Sequence, residues 1–163
     1  MITVSSEKQL RKWIAVESAK SKKAGRFKAA TLTDAQKVLK AEERERLQRR
    51  FADLWRQLGG PALKAEHRFH PIRRYRLDFV VLPVELKIGI EIDGGTWSKE
   101  RTGHNWGPGI TNGHEKQNLA VLAGWRIFRF TADMLSNKYA FKYLGPVILF
   151  AQAQVEAFEV SKQ

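Results

Sequence analysis

Two neighbouring apolar runs set the architecture of this chain: Arg76-Leu77-Asp78-Phe79-Val80-Val81-Leu82 and Ile88-Gly89-Ile90-Glu91-Ile92-Asp93-Gly94-Gly95. Both runs are rich in β-branched and aromatic residues, a composition typical of buried strands. Pro83 and the polar residues after it separate the runs. We therefore expect two strands that pair with each other as neighbours.

Three carboxylates interrupt these strands. Asp78 lies in the first run, and Glu91 and Asp93 lie in the second. Because residues i and i+2 of a strand share a face, Glu91 and Asp93 project to the same side, and strand pairing can bring Asp78 close to them. Carboxylates crowded beside a core repel one another unless a cation lies between them. The pattern indicates a divalent metal site, and its oxygen ligands favour a hard ion such as Mg²⁺, or Mn²⁺ in its place.

The composition limits the kinds of partner. The 163 residues are enough for one domain with an appended arm, and the formal net charge is +12 with no cysteine. Such a charge favours a polyanion over a neutral partner, although solubility or an acidic membrane surface are the alternatives. The start lacks a signal-peptide pattern, and the late apolar run is broken by Gln152 and Gln154. We expect a cytoplasmic protein that binds nucleic acid and no membrane.

The first 32 residues form a predicted basic arm with one short helix, and residues 33–163 form the predicted domain. Leu10, Trp13 and Ile14 fall on one helical face. The basic residues that follow suit contact with phosphate, although a solvated linker has the same composition. The arm residues that we expect to bind nucleic acid are Lys22, Lys23 and Arg26.

The domain is predicted to be α/β, with a central mixed sheet of about four strands flanked by helices. The capping box Thr33-Asp34-Ala35-Gln36 begins a helix that runs to about Leu58. Strands follow at 63–69, 76–82 and 88–95, then a helix from Asn112 or His114, a strand at 125–130 and a last helix from Gly145-Pro146, with proline in its first position, to about Val160.

Two segments beside the acidic strands are candidates for DNA contact. Arg73 and Arg74 lie in a basic turn before the first acidic strand. The loop from Gly94 to Gly113 is long, which is typical of a functional segment. Its tryptophans suit stacking on bases while its cations hold the backbone, although a tryptophan that pins the loop to the core is the alternative. The loop candidates are Trp97, Lys99, Arg101 and Trp106.

Four motifs in this order resemble the PD-(D/E)xK nuclease superfamily, and within it the very-short-patch-repair-type endonucleases and related small phage and bacterial endonuclease-like proteins. The motifs are Arg76-Leu77-Asp78-Phe79, Ile90-Glu91-Ile92-Asp93-Gly94-Gly95-Thr96-Trp97, Glu115-Lys116-Gln117-Asn118 and Gly124-Trp125-Arg126-Ile127-Phe128-Arg129-Phe130-Thr131. Glu66-His67-Arg68-Phe69-His70-Pro71 also resembles the segment before the acidic strand. The resemblance covers about residues 45–135 and implies a restriction-endonuclease-like core.

The resemblance implies a role for each matching residue. Asp78 and Glu91 match the metal-binding acids, with the carbonyl of Ile92 as a further ligand. The lysine expected two residues after Glu91 is Asp93 here, so Lys116 is the candidate for the catalytic cation. Ser98 stands where relatives have a histidine and Gly113 where some have an acid. His104 and Glu115 are the nearest substitutes, and the secondary candidates are Glu45, Glu66, Glu115 and His114.

The expected function is Mg²⁺-dependent hydrolysis of DNA phosphodiester bonds in repair or recombination, in a bacterial cell or encoded by a phage. Duplex, branched and mismatched DNA all fit the sequence, and a homodimer stays open. The first alternative is a noncatalytic nucleic-acid-binding protein whose acids form a structural cluster. The second is a zinc site built from His67, His70, His104 and His114.

Overall fold

A computed structural model of the chain describes residues 33–93, 107–136 and 138–163. The predicted order of helix, three strands, helix, strand and helix is confirmed, as is the α/β class. The elements are α1 (Asp34–Gln57), β1 (Leu63–Arg68), β2 (Arg76–Val81), a short 3₁₀ turn (Val84–Leu86), β3 (Ile88–Asp93), α2 (Gly107–Leu122), β4 (Arg126–Thr131) and α3 (Ala140–Val160).

The four strands form one mixed sheet in the order β1-β2-β3-β4. The β1–β2 and β2–β3 pairs are antiparallel, and β3 pairs with β4 in parallel after the α2 crossover. Parallel strands need such a crossover, whereas antiparallel strands can be joined by short turns. The start of β2 and the carboxyl ends of β3 and β4 consequently lie at the same end of the sheet.

Helix α1 forms as its sequence predicts. The Thr33 side chain accepts a hydrogen bond from the Gln36 N–H at 3.3 Å, and the Gln36 side chain accepts one from the Thr33 N–H at 2.9 Å. This reciprocal capping box satisfies two backbone donors that lack partners within the helix. At the other end Gly59, with φ of 77°, ends the helix in the left-handed conformation that suits glycine.

Helices cover both faces of the sheet. On one face α1 and α3 enclose a core that includes Phe51, Trp55, Ile90 and Leu144, all with less than 3% of their surface exposed. On the other face Ala120 of α2 packs with Trp125 and two β2 residues in a smaller cluster. The outer strand β1 is mostly exposed.

The regular alternation of β2 breaks at Asp78. Phe79 and Val81 pack in the α1–α3 core, whereas Leu77 and Val80 pack in the α2 cluster. Strict alternation would place Leu77 with Phe79, so the strand changes face between them. Glu66 lies at the same level of β1 with φ of 50°, a left-handed conformation within a strand. The distortion therefore turns the Asp78 side chain toward α1.

The predicted start of the last helix was wrong. Helix α3 begins at Ala140, and Pro146 lies inside it. The carbonyl of Ser136 accepts hydrogen bonds from Tyr139 and Ala140, which begins the helix a turn and a half early. An internal proline is costly because it removes a helical hydrogen bond. Burial of Ala140 and Leu144 in the core offsets that cost.

Helix α2 also begins earlier than expected, at Gly107 rather than at Asn112 or His114. Its carboxyl end was predicted correctly: Gly124 has φ of 85° and donates to Val121, while Trp125 donates to Ala120. This pair of bonds is the Schellman arrangement. None of the described helices has the length and apolar character that a bilayer span requires.

We expect Gly60→Ala to lower the free energy of unfolding by about 1–3 kcal/mol in urea titrations, the usual cost of overpacking. A methyl group on Gly60 would overlap three atoms of the Trp55 indole. That ring cannot move easily, because it is buried and its Nε1 donates to the Pro61 carbonyl at 2.7 Å.

Gly113→Ala in α2 is the matched control, since its added methyl group would meet no atom within 4 Å. It should stabilise the helix by about 0.5–1 kcal/mol. Equal effects of the two substitutions would contradict the packing of Trp55 against Gly60.

Candidate active site at a fork in the sheet

Strands β2 and β3 separate at the end of the sheet where Asp78 lies. Their pairing includes Phe79 with Ile90 and Val80 with Gly89. One step further, the Ile92 N–H donates to Asp78 Oδ2 at 2.8 Å. A side-chain carboxylate thus takes the place of a backbone carbonyl, and the strands diverge around it. We call this point, where Asp78 of β2 meets Ile92 of β3, the fork.

Helix α1 holds the other oxygen of Asp78. Arg44 Nη2 lies 2.6 Å and Gln48 Nε2 lies 2.9 Å from Oδ1. Asp78 has only 5% of its side chain exposed, yet it accepts three hydrogen bonds. A buried carboxylate is tolerated when it is paired and hydrogen-bonded in this way. The pKa of Arg44 is raised, first by its hydrogen bond to Asp78.

Glu91 lies on β3 opposite Arg129 of β4 and reaches toward α2. Lys116 Nζ is 2.7 Å from Oε2 and 2.6 Å from Oε1, but only the Oε2 contact has hydrogen-bond geometry. Oε1 is buried and accepts no hydrogen bond from the residues that the structure describes. Burial raises the pKa of Glu91, Lys116 opposes that rise, and the nearby charge of Asp78 adds to it.

Asp93 is held by Arg129. The guanidinium binds both oxygens of Asp93, at 2.9 Å from Nε and 2.5 Å from Nη2, and its third nitrogen donates to Gln117 at 3.3 Å. Two-point pairing of this kind fixes geometry as well as charge. The hydrogen bond to Asp93 raises the pKa of Arg129. Asp93 therefore has a fixed orientation on the same face of β3 as Glu91.

The three predicted acids are thus brought to one end of the sheet, and each has its own side-chain cation. The cations are Arg44, Lys116 and Arg129. Within residues 33–93, 107–136 and 138–163, no three histidine or acidic residues are arranged as a ready metal-binding group. Like charges beside a core still require compensation. Here the protein itself supplies that compensation.

Arg44, Gln48 and Arg129 were missed by the sequence analysis. Arg44 and Gln48 precede Phe51 and Trp55 at helical spacing, so they continue the buried stripe of α1 with polar groups. Polar residues on an otherwise buried face need polar partners, and that signal could have identified them. Arg129 had a weaker signal, because its partner depends on the β3–β4 register.

The secondary candidates lie around the site in different roles. Glu66 is 3.4 Å from Arg44 and 3.5 Å from Arg76, at the edge of the site. Glu45 pairs at 2.9 Å with Arg49, one helical turn further along the exposed side of α1. His114 and Arg74 are exposed. The candidates that lie outside the described residues are Lys22, Lys23, Arg26, Trp97, Lys99, Arg101, His104 and Trp106.

Arg73 and Glu115 anchor the β1–β2 loop to α2. Arg73 donates to Glu115 at 2.7 Å, and the Tyr75 hydroxyl donates to the same carboxylate at 3.1 Å. Within the loop, His70 Nδ1 accepts the N–H groups of Ile72 and Arg73 at 3.2 and 2.9 Å. These bonds keep His70 neutral in its folded position and occupy one of the two nitrogens that could bind zinc.

No protein-family model and no curated protein matches the chain. Among solved structures, the chain is similar to the catalytic domain of the homing endonuclease I-Bth0305I, with 16% identity over 70% of this chain and 93% of that chain. The TM-score is 0.38. A likeness of this degree carries no conclusion about activity.

Because of His70, the free energy of unfolding should fall as the pH drops below about 6.5, the ordinary pKa of histidine. Burial lowers the pKa of His70, Arg73 and Arg68 lower it further, and Glu115 opposes them. The unfolded chain therefore binds a proton at a higher pH than the folded chain does, and stability present above the unfolded pKa is lost as the pH falls through the folded pKa.

His70→Asn tests this assignment, because the asparagine carbonyl can accept the same two N–H groups without titrating. When thermal unfolding is followed at a series of pH values below about 6.5, the melting temperature of the variant should decline less steeply than that of the parent. A decline as steep as that of the parent would exclude His70 as its source.

Glu91→Gln should raise the free energy of unfolding at neutral pH. The pKa of Glu91 is raised in the folded state, so its contribution to stability is present below the unfolded pKa and is lost as the pH rises through the folded value. The gain from the neutral isostere should therefore disappear in acid, where the parent residue is protonated. Urea titrations of parent and variant at neutral and acidic pH measure the difference in the free energy of unfolding at each pH. Glu45→Gln, at an exposed ion pair, is the control and should change stability little.

Proposed function

We propose that this protein is a divalent-metal-dependent endonuclease that hydrolyses DNA phosphodiester bonds. The observation that carries the proposal is the convergence of Asp78 and Glu91 at the fork, with Lys116 beside them and one oxygen of Glu91 buried without a hydrogen bond. Burial and the nearby charge of Asp78 raise the pKa of Glu91, and perturbed carboxylates of this kind are commonly kept for function. The net charge of +12 favours a polyanionic substrate.

The residues at the fork fit a hard divalent ion. Asp78 and Glu91 would hold it through carboxylate oxygens, with the Ile92 carbonyl as a further donor, and oxygen ligands of this kind suit Mg²⁺ or Mn²⁺. Oε1 of Glu91 is buried beside the Lys116 ammonium but accepts no hydrogen bond from the described residues, so it would be free to bind the ion. When bound, the ion would polarise a phosphoryl oxygen and lower the pKa of a water molecule.

The protein's own groups would supply the remaining steps. Lys116 lies 2.6–2.7 Å from Glu91 and would offset the negative charge that builds up on the phosphate. Asp93, fixed by Arg129, would orient the attacking water. A histidine, His104 or His114, would carry a proton. The roles of Lys116 and Asp93 follow from their charge and position, and the role of the histidine follows from the sequence alone.

The substrate proposed is duplex, branched or mismatched DNA, in repair or recombination in a bacterial or phage setting. Arg74 is exposed on the loop beside the fork, where a cation can hold the flanking backbone. Trp97 and Trp106 would stack on an unpaired base, and Lys22, Lys23, Arg26, Lys99 and Arg101 would contact phosphates. A homodimer would present two such sites to a branched substrate.

One observation favours a second candidate, a noncatalytic nucleic-acid-binding protein. Each acid at the fork is already paired with a cation, as it would be in a purely structural polar cluster. Calorimetry separates the two functions. Mg²⁺ binding to the parent protein and its loss in Asp78→Asn support the enzyme, and DNA binding that is independent of Mg²⁺ and of Asp78 supports the alternative.

Asp78→Asn and Glu91→Gln should each reduce Mg²⁺-dependent cleavage of plain, mismatched and branched DNA by about a hundredfold or more. Loss of an ion that contributes several kcal/mol to the transition state has an effect of this size. Gel assays of nicked and cut strands measure it. Glu159→Gln, at the far end of α3, is the control and should cleave like the parent. Parent-like cleavage by Asp78→Asn would overturn the assignment of the site.

A further inference from the structure

Arg44 reaches the fork from outside. Its side chain is 58% exposed, yet its guanidinium lies 2.6 Å from a carboxylate with 5% exposure. An arginine that is mostly in water is held less firmly than a buried one, and exposed ion pairs contribute little to stability. Arg44 can therefore leave Asp78 once another cation balances that buried carboxylate, and it would remain beside the site.

Asp78 does not need Arg44 to stay hydrogen-bonded. Gln48 keeps its bond to Oδ1 at 2.9 Å, and the Ile92 N–H keeps its bond to Oδ2 at 2.8 Å. Arg44 also has a second anionic neighbour, since Glu66 lies 3.4 Å away. Arg76 lies 3.5 Å from the other oxygen of Glu66. Positive and negative groups thus alternate from the fork toward the exposed edge at β1.

We propose that Arg44 is a phosphate-binding residue, held on Asp78 in the free protein and released to a DNA phosphate when a divalent cation binds at the fork. This inference rests on the proposed function. A divalent ion held by Asp78 would repel the guanidinium, and a DNA phosphate would offer it two oxygens for the two-point pairing that arginine prefers. Arg44 then adds one phosphate contact that forms only with metal present.

The test measures DNA affinity rather than cleavage. A duplex oligonucleotide is titrated with protein at several salt concentrations, once with EDTA and once with excess Ca²⁺ in place of Mg²⁺. In Ca²⁺, Arg44→Met should reduce the slope of log affinity against log salt by about 0.9, the value of one phosphate contact. In EDTA the slopes of parent and variant should agree.

Two further variants make the result specific. Arg49→Met is the matched control, because Arg49 is another exposed arginine of α1 in an ion pair with a carboxylate. The Arg49→Met variant should show the same change of slope between EDTA and Ca²⁺ as the parent. Arg44→Lys retains the charge and should keep most of the slope in Ca²⁺. Thermal unfolding of Arg44→Met checks that this variant is folded.

Calorimetry gives an independent measurement. Because Arg44 competes with the ion for Asp78, Ca²⁺ should bind Arg44→Met about two- to fivefold more tightly than the parent, the range of an ion pair whose cation is largely exposed. Weaker Ca²⁺ binding by the variant would contradict the competition.

The outcomes separate this inference from the proposed function. If the parent binds Ca²⁺ and DNA but Arg44→Met keeps the parental slope, or if Arg49→Met loses as much, Arg44 has no phosphate role and the endonuclease proposal stands. If the parent binds neither Ca²⁺ nor DNA, the endonuclease proposal fails and the role of Arg44 fails with it.

Discussion

The hydrogen bond from the Ile92 N–H to the Asp78 carboxylate is the interaction on which the rest of the site depends. It joins β2 to β3 where their backbones diverge, so the fork is held by a side chain. Gln48 and Arg44 attach the same carboxylate to α1. A single buried acid thereby connects two strands and one helix, and it fixes the distance between α1 and the end of the sheet.

Charge compensation explains why the surrounding residues are basic. Burial and the charge of Asp78 both raise the pKa of Glu91, and Lys116 partly offsets them. Two residues further along β3, Asp93 is likewise paired with a cation, Arg129. Sites that carry such unfavourable charge tend to lower stability in exchange for function. The three cations also provide the groups that a phosphate would require.

Much of the architecture could be predicted from local patterns. The capping box at Thr33, the glycine ends at Gly59 and Gly124 and the two acidic strands were all read correctly, because each depends on residues close in sequence. Pro146 was misread, since local propensity favours proline at a helix start while the burial of Ala140 and Leu144 depends on the rest of the core.

The sequence by itself determined the α/β class, the order of elements and the identity of the acids Asp78, Glu91 and Asp93, because periodicity and residue chemistry are local properties. Only the tertiary structure decided which cation each acid meets. Arg44 is 34 residues from Asp78, and Arg129 is 36 residues from Asp93. Pairing over such separations depends on strand register, on the change of face at Asp78 and on the docking of α1, and no local pattern encodes those.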